Sequence, residues 1–220
     1  MRIMLVALCA LAMLPGDAEE ERCCGSEAFV PAPQDAPWAK AKKGRVKGTI
    51  EFAKGPRTYP VVVYLERKGA PLEFAPPAPL RVSQKGATFR PNFAVLVRGQ
   101  KAIFLNDEPA DIGHNVHFLG QETSDLGIIE RGGEAAYTFA KSGEIVLRCS
   151  IHKFMDGRFF VAPTPAFAEV SGGSEFAIEG VPAGRYTLRT YQRTRRFYDA
   201  EMEVDVREGA TADVTVVLTR

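Results

Sequence analysis

Histidine is scarce in this chain. Its 220 residues hold three, His114, His117 and His152, which is too few for a protein with several imidazole-built metal centres. A serine–histidine–acid arrangement would have to draw on the same three residues. Cysteine is almost as rare, with Cys9, Cys23, Cys24 and Cys149. Cys23 and Cys24 are adjacent, and a ring between neighbours strains disulfide geometry. They pair with another chain or lie in a tail, and no function is assigned to them. The domain therefore has no evident internal staple and is held by burial. A strong net charge is also missing, since 28 basic against 27 acidic residues leave +1. That balance suggests neither a nucleic-acid binder nor a strongly acidic docking protein, and any charge steering would have to come from local patches. The run Ile3–Leu14 has only twelve apolar residues. It is too short to span a bilayer as a helix, which takes about twenty.

What is present begins with an export signal. Met1-Arg2 supplies the positive charge, Ile3–Leu14 the apolar stretch, and Gly16 and Ala18 the small residues before a cut after Ala18. Residues 1–18 are read as a signal peptide and 19–43 as a polar, proline-bearing linker in which Trp38 could pack on the domain. The rival reading of 1–18 is an uncleaved anchor. After signal removal nothing predicts an integral membrane protein. Apolar residues at 45% suffice for a core, and charged residues at 25% match a soluble surface.

From Gly44 the pattern turns to strands. Arg45–Phe52 alternates polar and apolar, and Pro60–Glu66 is a continuous apolar run suited to a core strand. Further runs stand at Ala94–Val97, Ala102–Leu105, Val116–Leu119, Ala136–Phe139 and Ile145–Leu147, separated by turns with Gly, Asp or Pro. No ten-residue amphipathic helix stands out. Many short strands with such turns predict an all-β sandwich or barrel.

The chemistry concentrates in Cys149-Ser150-Ile151-His152-Lys153-Phe154-Met155, with the spacing Cys-x-x-His-x-x-Met. The strand-like Glu144–Leu147 feeds this loop and Arg158–Val161 leaves it, so three side chains can point at one spot. One cysteine, two histidines and a distant methionine suit copper in an electron-transfer site. Zinc gains little from a thioether. The second histidine must come from elsewhere. His114, in Asp111–Val116, is the choice. His117, three positions on, faces the other side of a regular strand, unless Asp111-Ile112-Gly113 bends it. Met155 is either the axial ligand or a filler of a core gap.

His-Asn-Val upstream followed by Cys-x-x-His-x-x-Met resembles the cupredoxins, the small blue copper domains. The short loop is similar to that of amicyanins, with Lys153 where they carry proline. The wider stretch from Phe89-Arg90-Pro91 to Val161 resembles plastocyanin-like domains of exported bacterial proteins. The resemblance implies a Greek-key sandwich over 83–162 with one type 1 copper ion on His114, Cys149, His152 and Met155. It also implies that Asn115 helps to hold the cysteine sulfur. Electrons would leave through His152, with Phe154 in an apolar docking rim.

A second resemblance lies after Pro163. Glu175–Leu188, a strand, a Pro-Ala-Gly turn and a strand, resembles the carboxypeptidase regulatory-like domain, a small Ig/transthyretin-like β-sandwich. Gly44–Ile50 matches the first strand of such domains. The expected layout is a discontinuous sandwich, 44–82 plus 163–220, with the copper domain inserted. The rival is a simple tandem. Together these readings predict an exported, periplasmic or extracellular one-electron carrier that is not an enzyme and meets redox partner proteins. The alternative is a copper-binding module for delivery, sensing or storage.

Overall fold

The computed structural model describes residues 36–53, 57 and 59–220. The signal segment, Cys9, Cys23, Cys24 and the arm up to residue 35 lie outside the described residues. The described chain is all-β apart from one short helix, α1 (Pro37–Lys40). Sixteen strands form four sheets.

One sandwich is built from both ends of the described chain. Strand β1 (Lys43–Phe52) runs antiparallel to β13 (Glu175–Pro182) and parallel to β16 (Thr211–Leu218). The facing sheet has the order β12 (Phe167–Val170), β2 (Val61–Arg67), β14 (Gly184–Gln192) and β15 (Glu201–Val206). Alternation decides the faces: Val46 and Ile50 of β1 turn inward to meet Val61, Val63, Leu65, Tyr186 and Leu188 in one core. Trp38 of α1 is buried in this core, edge-on to Phe74 with ring centroids 6.0 Å apart. Residues 37–40 are thus tied to the sandwich through Trp38, the single tryptophan of the chain.

The central stretch forms the second sandwich. Its larger sheet has the order β5 (Phe93–Val97), β11 (Asp156–Ala162), β10 (Gly143–Arg148), β7 (His114–Gly120) and β8 (Ser124–Ile129). The smaller has β4 (Phe89–Arg90), β3 (Leu80–Gln84), β6 (Lys101–Asn106) and β9 (Glu134–Thr138). Val82, Phe89 and Phe104 of one sheet pack with Val116, Leu147 and Phe159 of the other, in a core that also takes in Cys149 and Met155. Strand β3 runs across residue 82, the expected boundary, and pairs with β6. Leu80–Val82 therefore go with the central sandwich, because the hydrogen-bonded partner of this edge lies there.

Two strands are buried on both faces. In β11, Phe159 and Val161 face the central core, while Phe160 and Ala162 join Val62 of β2 and Tyr191 of β14 in a third cluster. Phe160 stacks on Tyr191 at 4.4 Å between centroids. A two-sided strand has no polar face to show, which is why β2 and β11 read as near-continuous apolar runs. Glu144 of β10 accepts the Tyr191 hydroxyl at 2.5 Å and pairs with Arg158 at 3.1 Å and Arg195 at 3.4 Å beside this contact.

Candidate metal centre

Strand β10 ends at Arg148 and β11 starts at Asp156, joined in register as Arg148↔Asp156. The loop 149–155 is therefore a closed hairpin end, with Cys149 as its first residue and Met155 as its last. Its own hydrogen bonds fold it inward: the His152 N–H points to the Cys149 Sγ at 3.4 Å, and the Met155 N–H donates to the His152 carbonyl at 2.8 Å. Cys149 and Met155 are buried in the central core, whereas His152 is half-buried.

The other side of the site comes from the start of β7, beside β10 in the same sheet. His114 is fully buried. One ring nitrogen of His114, the Cys149 Sγ and one ring nitrogen of His152 all lie within 4.8 Å of one another, a set able to hold a metal ion. The two imidazole rings are 4.8 Å apart between centroids. The His114 Nε2 is hydrogen-bonded to the Glu108 Oε1 at 2.9 Å. That leaves Nδ1, which is buried without a hydrogen-bond partner. A buried imidazole nitrogen without a partner costs free energy, and a ligated ion would remove that cost.

Asn115 joins the two halves. Its backbone N–H points to the Cys149 Sγ at 3.4 Å, and its side-chain oxygen accepts the Ser150 N–H at 3.3 Å. Its amide nitrogen donates to the Asp125 carboxylate at 2.7 Å and to the Gly127 carbonyl at 3.1 Å. Two N–H groups thus face the cysteine sulfur. The Gly127 N–H and the Asn115 amide together hold the Asp125 carboxyl below the usual carboxylate range.

His117 stands apart. Its Nδ1 is 2.9 Å from the Asn115 side-chain oxygen, and a register shift separates Asn115 from His117 in the pairing with β8. That shift lies inside β7, past His114, whereas Asp111-Ile112-Gly113 precede the strand. His117 thus props Asn115 and is not one of the clustered groups. Met155 lies in the same core cluster as Cys149, at the end of the loop.

Glu108 is the residue that sequence reasoning missed. Its oxygen takes the Ala87 N–H at 3.0 Å as well as the His114 ring. Those two bonds hold its carboxyl below the usual range, against the opposing effect of burial. Gly86 and Ala87 both have left-handed backbones, with φ of 65° and 48°, which turns the hairpin between β3 and β4 toward the carboxylate. The only signal was three acidic residues, Asp107, Glu108 and Asp111, shortly before His114. Nothing in their order says which one turns inward.

No protein-family model matches the chain. No curated protein matches it either. Among solved structures, a copper-containing nitrite reductase from Thermus scotoductus SA-01 is 25% identical over 46% of this chain, with a TM-score of 0.38. This chain spans a quarter (25%) of that enzyme's length. A mutant of amicyanin in the Cu(I) form is 19% identical, covering 38% of this chain and 82% of that one at a TM-score of 0.35. A purple cupredoxin from Nitrosopumilus maritimus is 16% identical, covering 38% and 99% at 0.35. Among the described residues no helix is long and apolar enough to cross a membrane.

Proposed function

We propose that this chain is an exported type 1 copper protein that carries one electron at a time between redox partner proteins. The observation that carries the reading is the partnerless, buried Nδ1 of His114, grouped with Cys149 and His152 within 4.8 Å. A thiolate and two imidazoles, with the thioether of Met155 at the end of the same loop, suit copper in both oxidation states. Copper would supply one-electron chemistry at that point. The protein's part is to hold the donors still. Asn115 pins the cysteine loop to β7, Glu108 fixes the ring of His114, and the two sheets exclude water from the sulfur. Small movement of the donors means little reorganisation on electron exchange.

His152 supports the exit route. It is half-buried, with Ile151 at 47% and Phe154 at 74% exposure on the same loop, so exposed apolar side chains stand beside the ring. A partner protein would dock there. The reading is of a carrier and not an enzyme: two of the three histidines are in one cluster, the third props Asn115, and none remains for a second centre. The pairing of β1 with β13 and β16 supports a discontinuous sandwich, 44–82 with 163–220, around the metal-bearing unit, with its first boundary moved to about Leu80. The positive start and the apolar run read at 1–18 support export of the mature chain to the periplasm or outside the cell.

The test is an absorption spectrum and a voltammogram of the purified, Cu(II)-loaded chain. An intense visible sulfur-to-copper band with reversible one-electron cycling is expected. A colourless Cu(II) protein refutes the type 1 site. A coloured protein that does not cycle, but hands Cu(I) to an acceptor, transfers the assignment to copper delivery.

A further inference from the structure

Among the described residues, four buried side-chain atoms lack a hydrogen-bond partner: the His114 Nδ1, both polar atoms of Gln84, and the Glu122 Oε2. Glu122 is half-satisfied, since its other oxygen takes the Ala140 and Lys141 N–H groups at 3.0 Å each. Gln84 has nothing, and its side chain is fully buried. A buried carboxamide with neither its oxygen nor its nitrogen paired is unfavourable, and native structures rarely keep one without a reason.

Its place in the fold supplies the reason. Gln84 ends β3, opposite Asn106 of β6 on one side and Phe89 of β4 on the other. Alternation along β3 turns Val82 and Gln84 to the same face, and Val82 lies in the core cluster that contains Cys149 and Met155. Asn106, its neighbour, reaches the carbonyls of Ile112 and Ile129, and Ile129 pairs with His114. On the other side Phe89 is in range of Gly157, two residues beyond Met155. The Gln84 carbonyl accepts the Asp107 N–H at 3.2 Å, beside Glu108. Through these neighbours Gln84 lies at the end of the central core that carries Asn106, Glu108 and His114. Asn106 spends its amide nitrogen on backbone carbonyls, whereas Gln84 keeps its amide free.

We infer that Gln84 is a further donor to the metal ion, offering its carboxamide oxygen from the core side of the site. The inference rests on the copper reading above. The Cys149 sulfur already faces two N–H groups, from Asn115 and His152, so the site does not need a third hydrogen-bond donor. It does have a thioether, which is a weak ligand, and an amide oxygen is known as an alternative at the axial position of such sites. An oxygen is a harder donor than a thioether and favours Cu(II) over Cu(I). Gln84 therefore tunes the couple downward, in opposition to Met155.

The test compares the full chain with its Gln84→Leu variant. Loaded with Cu(II), the variant should bind about tenfold more weakly while Cu(I) affinity is unchanged, which for a one-electron couple raises the potential by about 59 mV. Its Cu(II) band and electron-spin signal should shift. Without copper, Gln84→Leu should melt at the same temperature as the parent chain or higher, and the rise in Tm on adding copper should be smaller. If the parent takes up Cu(II) with an intense band while Gln84→Leu matches it in spectrum, potential and copper-induced Tm rise, Gln84 is a packing residue and the inference falls alone. If the parent binds no copper, the copper reading and the inference fall together. Should Gln84→Leu not fold, Gln84→Glu serves instead: a lower potential supports the donor role, and an unchanged one overturns it.

Discussion

Replacing Asn115 with alanine tests how the site is held, and does so without metal. The side chain makes four contacts: with Asp125 at 2.7 Å, the Gly127 carbonyl at 3.1 Å, the Ser150 N–H at 3.3 Å and the His117 Nδ1 at 2.9 Å. Each is worth about 1 kcal/mol net, and the exposed Asp125 carboxylate earns no addition. The sum is a loss of about 4 kcal/mol in the apo protein, or about 8–16 °C in Tm for a chain of this size. Denaturant unfolding of the metal-free chain reads it directly. Asn115→Ala keeps the backbone N–H that faces the Cys149 sulfur, so copper uptake should weaken without vanishing. Asp125→Ala in the Asn115→Ala background should cost less than in the parent chain, because the shared bond is already gone. A loss below about 1 kcal/mol, with no coupling to Asp125, would show that these four bonds do not tie the loop to the sheet.

His114→Ala should abolish uptake of one Cu(II) per chain, while His117→Ala should retain it with weaker binding; titration monitored in the visible decides, and the reverse order refutes the assignment. The carboxyls of Glu108 and Asp125 are both held low in the folded state. Their contribution to stability is therefore present above the ordinary carboxylate range and is lost as pH falls through it, below about 4. Glu108→Gln should flatten this acid limb of an apo melting series, and an unchanged limb would show that the carboxylate adds nothing. Phe160→Ala empties the middle of the Val62–Phe160–Tyr191 cluster and should cost about 3–5 kcal/mol by the usual price of a lost buried ring, read from chemical unfolding. Its Cu(II) spectrum should be unchanged, since the cluster lies on the outer face of β11.

Much of this was written along the chain. The spacing from Cys149 to Met155, between two apolar runs, dictates a short loop on a β-hairpin, because alternation and turn residues act locally. The two-sided burial of β2 and β11 shows in their unbroken apolar runs. Strands β3, β4, β8 and β12 did not stand out. They are short or mixed in character, and their pairing partners, not their own residues, make them strands. Strand β1 does show in its own alternation, although its neighbours β13 and β16 lie more than 120 residues away in the chain.

The ligand types and the spacing within one loop are properties of sequence, since seven residues cannot escape each other. Which histidine joins them is a matter of tertiary structure, because β7 meets β10 only once the sheet has formed. Glu108 and Gln84 belong to that second kind. A polar side chain shows its purpose only when the fold has removed water from it and left it to find a partner.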